Sequence, residues 1–490
     1  MNLKNLLAAI GGEIRDRNEV TGVSVDSRKI KPGMVFVAYE GVEVDGHNYI
    51  DQAIENGAVA VVGEKELKLN VVYVQVSDGR MAWAQLIAKM CGNPEKRLKI
   101  IGVTGTDGKT TTTNLIYSIL KTAGKKVGMV STIVAKIGEK EVDTGLHTTS
   151  PDPDVLWEFL KQMVDEGCEY AVLEVTSHGL EQERFGKIVF EVGVLTNLAH
   201  DHLELHKSVE EYARAKAKLF ARSKVSVLSR GTKFLEVFKK KAKGKLVIYD
   251  RTKEVVEEEY LIENGQIRQK FAIMIAGKNM EITTTLLGEY NQENILAAIK
   301  VGEGLGLNAS VITRGIESLE GLPGRMQFIA NDRGINAVVD FAHTENAMRQ
   351  VLSVVRKKLM KKKEKLIVVF GCNGQRDRSK RAPMGKTACE FADLVVVTTE
   401  DPRKESVEQI FEDIRVGCEE GGGVINRNYF RVDDRKAAIK KAVEMAKKSD
   451  WVMCLGKGHE QSMNMGGVEK AWNEVEVVKV VIADFGPEIY

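Results

Sequence analysis

Short apolar runs alternate with stretches of mixed polar and apolar composition along much of the chain after residue 97. The runs have the length of β-strands, and the segments between several of them are typical of helices. Strands that are apolar on both faces are typical of a parallel sheet covered by helices on both sides. The runs that predict this sheet occupy residues 98–103, 127–133, 170–176, 192–196 and 225–229.

A second alternating series follows the glycine- and proline-containing segment at residues 321–325, which predicts a hinge. Its apolar runs indicate a further α/β domain with its own sheet. These runs occupy residues 337–340, 366–370, 394–398 and 451–455.

The first part of the chain has a different pattern, with short strand-like runs separated by turn residues. The runs lie at residues 20–25, 35–39 and 58–62, and a Cys-Gly-Asn-Pro segment at 91–94 predicts a linker. The length of 490 residues is enough for about three domains. We therefore predict an α/β protein with domains at 1–97, 98–328 and 329–490.

Composition and charge exclude several classes of protein. The 71 basic and 69 acidic residues leave a net charge of +2, which argues against a general polyanion binder. Two lysine-rich runs at 239–245 and 356–365 are interpreted as solvated surface. The six cysteines lie far apart, no run is long and apolar enough for a bilayer, and residues 6–10 are too short for a secretory segment. These features predict a cytoplasmic protein that binds neither nucleic acid nor membrane.

The segment Gly102-Val-Thr-Gly-Thr-Asp-Gly-Lys-Thr-Thr111 carries the strongest chemical signal. A buried strand precedes it and a helix is predicted for residues 111–122, so its glycines can turn backbone N–H groups toward an anion at a helix N-terminus. Lys109 would then reach the terminal phosphates of a nucleotide, and the Thr110 hydroxyl would hold Mg²⁺. Five residues rather than four separate Gly102 from Gly108, and the alternative is a plain glycine turn before a helix.

Polar clusters follow six of the predicted strands. Ligands of open parallel sheets bind at the carboxyl ends of strands, so these clusters together predict one large cleft between two adjacent domains. The clusters lie at residues 174–179, 197–206, 340–344, 371–377, 400–403 and 456–460.

Two of these clusters contain candidate metal ligands. Glu174 follows an apolar strand and is placed to complete a nucleotide–metal site, the alternative being an acid at the protein surface. The histidines at 200, 202 and 206 leave three interpretations open: a Mg²⁺ site, a zinc site, or a helix start with Asp201 as an N-terminal acid.

The segment 213–220 is predicted to be helical and contains two lysines. Lys216 and Lys218 lie about 200° apart on a helix, so only one of them can face the sheet. On composition alone, two solvated lysines are the expected arrangement.

Three further side chains at strand ends have two interpretations each. His343 either has a structural role or binds a nucleotide through its ribose or adenine. Arg376 and Arg403 either bind a ligand carboxylate or phosphate or form internal salt bridges with neighbouring acids.

Taken together, the motifs resemble the Mur ligase family, the ATP-dependent amino-acid-adding enzymes of peptidoglycan synthesis, over nearly the whole chain. Within this family they are most similar to the branch that adds the third residue of the stem peptide. The resemblance is carried by residues 26–28, 105–111, 147–151, 174–179, 201–203, 288–291, 324–326, 340–344, 376, 400–403 and 456–460.

The resemblance implies a small N-terminal domain for the UDP substrate, a central P-loop ATPase domain and a C-terminal Rossmann-like domain. It also implies the reaction. A carboxylate of UDP-N-acetylmuramoyl-L-alanyl-D-glutamate attacks the γ-phosphate of ATP, and the amine of a diamino acid then displaces phosphate from the acyl phosphate. Charge neutralisation by Mg²⁺ and Lys109, and exclusion of water, suit this chemistry. A monomer is expected.

The family's functional residues carry over by position. The implied catalytic residues are Lys109, Lys216 and His202, and the implied metal ligands are Thr110, Glu174, His202 and Lys216. The last of these would be carbamylated and would hold a second Mg²⁺, which reverses the expectation of a solvated lysine. The implied ATP-binding residues are Gly105, Thr106, Asp107, Gly108, Lys109, Thr110, Thr111, Asn291, Arg325 and Asp340.

The resemblance also implies two substrate sites. The implied contacts to the UDP-linked substrate are Ser27, Thr148, Thr149, Thr176, Gln182 and Arg184. The implied contacts to the incoming amino acid are Arg376, Glu400, Asp401, Pro402, Arg403, Gly456 and Glu460.

The tetrad Glu400-Asp401-Pro402-Arg403 departs from the family pattern. Enzymes that add meso-diaminopimelate usually carry Asp-Asn-Pro-Arg, whose arginine binds the distal carboxylate. The additional acid Asp401 is expected to disfavour that carboxylate, or to pair with Arg403 and neutralise it. We therefore expect lysine as the added residue, with meso-diaminopimelate as the alternative.

Two other functions compete with this one. A ligase similar to folylpolyglutamate synthetase shares the central and C-terminal domains but lacks the N-terminal domain with Asp26-Ser27-Arg28. A non-catalytic nucleotide switch would use the cleft to bind a partner and would hydrolyse ATP without an amine.

Overall fold

The computed structural model describes residues 1–15, 18–41, 44–142, 149–199, 206–263, 266–361 and 363–486. Its first part contains a parallel four-stranded sheet of order β1-β2-β3-β4. The strands are β1 (Gly22–Ser24), β2 (Met34–Val37), β3 (Ala60–Gly63) and β4 (Val72–Gln75). The helices are α1 (Leu3–Leu7), α2 (Ile50–Glu55) and α3 (Gly79–Met90).

The second part is organised around an eight-stranded sheet of order β12-β11-β10-β5-β9-β6-β7-β8, whose last two strands are antiparallel. Its strands are β5 (Lys99–Thr104), β6 (Val127–Val130), β7 (Ala135–Ile137), β8 (Lys140–Val142), β9 (Tyr170–Glu174), β10 (Phe190–Leu195), β11 (Ser223–Ser229) and β12 (Lys245–Tyr249). Its helices are α4 (Lys109–Thr122), α5 (Pro153–Asp165), α6 (Ser177–Glu181), α7 (Val209–Ala217), α8 (Leu235–Lys241), α9 (Arg251–Glu254), α10 (Glu289–Gly304) and α11 (Ala309–Glu317).

This sheet is covered on both faces, as its apolar strands require. Ile101 and Val103 of β5 pack with α4, α10 and α11 on one face. Ile100 faces the opposite way, into a core shared with α5, α7 and the first sheet. The carboxyl end of β5 therefore lies in the middle of the sheet and close to the N-terminus of α4.

A three-stranded antiparallel sheet follows α9 and was not predicted from the sequence. It consists of β13 (Val255–Glu263), β14 (Gln266–Ile275) and β15 (Lys278–Thr284). Charged residues interrupt its apolar positions, and Lys270 pairs with Glu281 at 2.9 Å and with Glu259 at 3.7 Å across neighbouring strands. Its apolar side, including Phe271 and Ile273, is buried in the core around α10.

The third part is a six-stranded sheet of order β16-β17-β21-β18-β19-β20, parallel except for β16. Its strands are β16 (Gln327–Ile329), β17 (Asn336–Asp340), β18 (Leu366–Phe370), β19 (Leu394–Val397), β20 (Tyr429–Arg431) and β21 (Trp451–Leu455), and a hairpin adds β22 (Ser462–Met465) and β23 (Val468–Ala471). The helices are α12 (Glu345–Val354), α13 (Arg381–Phe391), α14 (Val407–Glu420), α15 (Arg435–Met445) and α16 (Glu474–Asp484).

The predicted α/β class with parallel sheets is confirmed. The strand predicted at 366–370 has these bounds in the structure, whereas α4 begins at Lys109, ahead of the predicted start at 111. Strand β16 begins ahead of the predicted boundary at 329 and pairs with β17, and the domain limits stay a prediction. Within the described residues, we find no helix with both the length and the apolar character needed to cross a membrane.

Candidate active site

The loop between β5 and α4 requires glycine at two positions. Gly105 has a φ of +152°, and a Cβ there would lie 1.8 Å from Oγ1 of Thr196. Gly108 has a φ of +80°, and a Cβ there would lie 2.3 Å from Oδ1 of Asn294. Because these contacts leave no room for a side chain, the loop can pack against β10 and α10 only with glycine at both positions.

The loop is also fixed by hydrogen bonds. Asp107 N–H donates to Oδ1 of Asn197 at 2.9 Å, and Ala199 N–H donates to Oγ1 of Thr106 at 2.9 Å. Nζ of Lys109 donates to the carbonyl oxygens of Gly105 at 3.1 Å and Thr106 at 2.8 Å. The lysine thus folds back over the loop at the N-terminus of α4, where an anion is stabilised by the helix dipole.

Glu174 lies at the carboxyl end of β9, directly beside β5. It is 2% exposed, and its carboxylate accepts hydrogen bonds from the N–H of Thr132 at 3.0 Å and the hydroxyl of Thr132 at 2.8 Å. Glu174 and Thr110 line the same cleft and supply the hard oxygen ligands that Mg²⁺ prefers. Within the described residues, no group of three His, Cys, Asp or Glu is placed to hold a metal ion.

Lys216 on α7 is 1% exposed, so the composition-based expectation of two solvated lysines was wrong. Its Nζ donates to the carbonyl oxygen of Gly105 at 2.8 Å and lies 4.3 Å from the ring centroid of Tyr212. The side chain of Lys218 is 43% exposed and lies 3.7 Å from Glu183. Only one of the two lysines therefore faces the sheet, as the helical period requires, and it contacts the nucleotide loop.

Several predicted residues lie outside the described part of the chain. These are Thr148, His202 and the neighbouring His200 and Asp201. His206 is described and 2% exposed, with Nε2 3.0 Å from Oγ of Ser177 and Nδ1 3.4 Å from Glu181.

The predicted contacts to the UDP-linked substrate are divided between two places. Thr149 lines the cleft. Nearby, Oγ1 of Thr176 accepts from the N–H of Gly179 at 3.0 Å, and Arg184 donates to Gln182 at 2.7 Å. Burial lowers the pKa of Arg184, although Asp152 lies 3.0 Å away.

Ser27 lies apart from this group, in the first domain. It is 5% exposed and donates to Oε1 of Gln52 at 2.6 Å. The structure therefore does not bring Ser27 to the cleft.

An aromatic ring that follows β17, Phe341, lines the cleft next to Arg325 of the hinge. The guanidinium of Arg325 lies 4.6 Å from the ring centroid of Phe341, which in turn lies 4.5 Å from His343 and 5.0 Å from His459. Burial, followed by the positive charge of Arg325, lowers the pKa of His459 to about 3, so this imidazole is neutral.

Asp340 and Asn291 are predicted ATP-binding residues that do not line the cleft, and both are 5% exposed. Asp340 accepts from the N–H groups of Met326 at 2.6 Å and Ala342 at 2.8 Å, and burial raises its pKa. Oδ1 of Asn291 accepts from Asn294 at 3.1 Å, and Asn294 contacts the position of Gly108.

Glu400, Asp401 and Arg403 of the tetrad line the same cleft as the nucleotide loop, whereas Pro402 lines a separate small pocket. Asp401 and Arg403 have φ angles of +37° and +54° on either side of Pro402, a left-handed conformation that is strained for non-glycine residues. Arg403 lies near Arg376, and burial followed by the charge of Arg376 lowers its pKa. Nε of Arg403 is buried with no hydrogen-bond partner.

Asp401 pairs with Lys457 and not with Arg403, which corrects the expectation that the additional acid neutralises the arginine. Nζ of Lys457 donates to both carboxylate oxygens of Asp401, at 3.1 and 3.0 Å, and lies 2.5 Å from Oε2 of Glu460. The charge of Asp401 is therefore compensated locally, and Arg403 keeps its capacity to bind a carboxylate.

Glu400 is buried and carries a perturbed carboxyl. Burial is the largest cause that raises its pKa to about 8, against the opposing charges of Arg435 and Lys457. Oε2 of Glu400 has no hydrogen-bond partner and lies 4.0 Å from the guanidinium of Arg435. A Cβ at Gly456 would lie 1.9 Å from Oε2 of Glu400, so the carboxyl packs directly on the glycine backbone.

One cleft of about 840 Å³ joins these groups. The predicted residues that line it are Thr106, Asp107, Gly108, Lys109, Thr110, Thr149, Glu174, Arg325, Arg376, Glu400, Asp401, Arg403, Gly456 and Glu460. Gly105, Thr111 and Lys216 lie behind its surface.

Sequence reasoning assigned no role to several residues of the cleft. Thr132 follows the end of β6, and the position of that strand is the signal that could have identified it. Phe341, His459 and Lys457 lie within the polar clusters at 340–344 and 456–460, but their contacts form only in the folded chain.

Three family profiles match the chain. They are described as the Mur ligase family catalytic domain (residues 19–89), the Mur ligase middle domain (residues 103–302) and the Mur ligase glutamate ligase domain (residues 324–458).

Curated relatives match over nearly their whole length. The UDP-N-acetylmuramoyl-L-alanyl-D-glutamate--2,6-diaminopimelate ligase of Aquifex aeolicus (strain VF5) is 37% identical and is covered to 94%, with 95% of this chain matched. The ligase of the same name from Geobacillus thermodenitrificans (strain NG80-2) is 36% identical, with 95% of this chain and 96% of the relative covered.

Solved structures show the same architecture. A 2,6-diaminopimelate ligase structure of the same name is 31% identical and covers 99% of both chains with a TM-score of 0.68. MurF ligase from Thermotoga maritima, solved in complex with ADP, is 19% identical with a TM-score of 0.62 over 95% of this chain and 97% of its own, which shows the shared fold. The chain belongs to the Mur ligase family and is an ATP-dependent peptide ligase of peptidoglycan synthesis.

Proposed function

We propose that this ligase joins meso-diaminopimelate to the D-glutamate carboxylate of UDP-N-acetylmuramoyl-L-alanyl-D-glutamate with consumption of ATP. The observation that carries the proposal is the single cleft that joins Lys109 and Thr110 at one end to Arg376 and Arg403 at the other. Relatives with 36–37% identity over 95% of the chain carry the name of the 2,6-diaminopimelate ligase. These names support meso-diaminopimelate over lysine as the added amino acid.

At the nucleotide end, Lys109 would leave the carbonyl oxygens of Gly105 and Thr106 and bind the terminal phosphates of ATP. The residues fit Mg²⁺, because Thr110 and Glu174 present hard oxygens to one cleft. When bound there, Mg²⁺ would supply charge neutralisation between the phosphates and the attacking carboxylate. His202 is proposed as a further ligand, and Asn291, Arg325 and Asp340 as supports of the nucleotide.

We also propose that Lys216 is carbamylated. Its Nζ points to the nucleotide loop and would keep one N–H for the hydrogen bond to the carbonyl oxygen of Gly105. In carbamylation the ammonium loses a proton, the neutral amine adds to CO₂, and a second proton leaves as the N–C bond forms. The product is an anion in place of a buried cation, and an anion suits a position where a second Mg²⁺ is to be held. An electron-density map at Lys216 tests this proposal, and an unmodified ammonium would contradict it.

At the amino-acid end, Arg403 is proposed to bind the distal carboxylate of the incoming amino acid, because its Nε is buried without a partner. Beside it, Arg376 would bind a carboxylate of the same amino acid. The carboxylate of Glu460 and the backbone of Gly456 would bind its ammonium. The compensation of Asp401 by Lys457 removes the physical argument that favoured lysine.

The UDP-linked substrate is proposed to approach through Thr149, which lines the cleft. Thr148, Thr176, Gln182 and Arg184 are proposed as further contacts to it. Ser27 is proposed to contact the UDP part as a hydrogen-bond acceptor, since its hydroxyl already donates to Gln52.

The test is amide formation by the purified protein with ATP and the UDP-linked dipeptide, with meso-diaminopimelate and L-lysine compared at equal concentration. We expect meso-diaminopimelate to have the higher kcat/KM, and a preference for lysine would contradict the proposal. Turnover of a folate substrate, with none of the UDP-linked dipeptide, would select the folylpolyglutamate alternative. ATP hydrolysis independent of any amine would indicate a nucleotide switch.

A further inference from the structure

Lys457 is a buried cation in the loop that follows β21, and it does not line the cleft. The side chain is 1% exposed. Its Nζ donates to both carboxylate oxygens of Asp401, at 3.1 and 3.0 Å, and lies 2.5 Å from Oε2 of Glu460. One ammonium thus holds two acids that do line the cleft.

Asp401 is fixed by other contacts as well. Its Oδ1 accepts from the N–H of Asn464 at 2.8 Å, and its Oδ2 lies 3.4 Å from Nδ2 of Asn373. Since the carboxylate is turned toward Lys457, no ion pair with Arg403 forms within the described part of the chain. Arg403 lines the cleft, and its Nε has no hydrogen-bond partner.

We propose that Lys457 is a positioning residue that sets the preference for an amino acid with a distal carboxylate, an inference that rests on the proposed function. With Lys457 present, its ammonium compensates the carboxylate of Asp401, and the carboxylate of Glu460 lines the cleft, where it can bind one ammonium. Without Lys457, the carboxylate of Asp401 would lose the cation that binds both of its oxygens. Asp401 would then pair with Arg403 or attract a bare ammonium, and both effects favour lysine over diaminopimelate.

The test is Lys457→Met, with kcat/KM measured for meso-diaminopimelate and for L-lysine at saturating ATP and UDP-linked dipeptide. We expect the diaminopimelate-to-lysine ratio to fall about tenfold or more, through a higher KM for diaminopimelate, with the KM for ATP unchanged. If Lys457 acted through packing alone, its replacement would lower kcat/KM for both amino acids equally. Equal loss would overturn the inference.

The double variant Asp401→Asn/Lys457→Met keeps the test decisive if the single variant unfolds, because it removes both members of the buried pair. We expect it to recover most of the wild-type ratio, and a ratio as low as that of the single variant would contradict the inference. Lys300→Met is the matched control, since Nζ of Lys300 is also held by two acids, Glu254 at 2.7 Å and Glu303 at 3.1 Å, away from the cleft.

The wild-type measurement separates the two proposals. If the wild-type protein forms no amide with diaminopimelate, the proposed function fails. If the wild type prefers diaminopimelate and Lys457→Met has the same ratio, only the inference about Lys457 fails.

Discussion

The two walls of the cleft bind charge by different means. On the central wall, formed by residues 105–110 and Glu174, backbone groups and a helix N-terminus surround a glycine-dependent loop. On the C-terminal wall, formed by Arg376, residues 400–403 and residues 456–460, the buried ammonium of Lys457 compensates the carboxylates of Asp401 and Glu460. The first wall is adapted to one kind of anion, whereas the balance of charges on the second can be changed by single substitutions.

The largest effect is expected on the central wall, from Lys109→Ala. The variant loses the only side-chain cation that the loop 105–110 contains, and we expect amide formation to fall about 10³-fold or more. Product formation and ADP release are the measurements. Lys121→Ala on the same helix is the control, because that side chain is 57% exposed. Near-normal turnover of Lys109→Ala would contradict the role given to the loop.

On the C-terminal wall, Arg403→Met should weaken the binding of one substrate only, the amino acid. A charge-assisted hydrogen bond contributes roughly 1.5–3 kcal/mol, so we expect the KM for meso-diaminopimelate to rise about tenfold to a hundredfold. The KM for ATP should stay unchanged, which initial-rate kinetics with each substrate varied in turn would show. Arg378→Met is the control, with a side chain 57% exposed and paired with Asp413. A parallel rise in the KM for ATP would mean that the walls do not act separately.

The difference between the walls also explains what the sequence could predict. The nucleotide site is local, because its glycines, lysine and threonine lie within a few residues between a strand and a helix. The pair of Lys457 and Asp401 joins residues 56 positions apart, and no sequence pattern indicates it. Consequently Asp401 was interpreted as an uncompensated acid, and lysine was favoured wrongly as judged by the relatives.

Two further features could not be predicted because the sequence does not show which side chains are buried. The helical period shows that Lys216 and Lys218 face apart, but not which of them packs against Gly105. The sheet β13–β15 escaped prediction because charged residues interrupt its apolar positions, as in a solvated surface segment. The parallel sheets were predictable because both of their faces are buried and their strands are continuously apolar.

Glu400 makes the C-terminal wall sensitive to pH. Its pKa of about 8 lies above the ordinary value of 4.5, so between these values the folded state keeps a proton that the unfolded state has released. The stabilisation from that proton is present at low pH and is lost as pH rises toward 8, on the order of a few kcal/mol. Arg435 and Lys457 oppose this shift in pKa, whereas Asp401 and Glu460 add to it.

Glu400→Gln removes this dependence. We therefore expect its Tm, relative to that of the wild type, to increase as the pH is raised from about 5 to about 8. Glu476→Gln, with a side chain 60% exposed, is the control for loss of a carboxylate. A difference in Tm that is constant across this range would show that Glu400 is ionised in the folded protein.

The smallest effect is expected at a hydrogen bond between α12 and the nucleotide loop of the central wall. Nδ2 of Asn346, at the start of α12, donates to Oδ2 of Asp107 in the nucleotide loop at 2.9 Å. Asn346→Ala removes this bond to a charged acceptor, and we expect kcat/KM to fall about threefold to tenfold, since a part-exposed hydrogen bond contributes roughly 1 kcal/mol. The matched control is Gln409→Ala, whose amide donates to Asp413 at 3.0 Å within one domain. Equal behaviour of the two variants would mean that the hydrogen bond from Asn346 contributes nothing specific to activity. A loss confined to Asn346→Ala would mean that α12 holds the nucleotide loop in position.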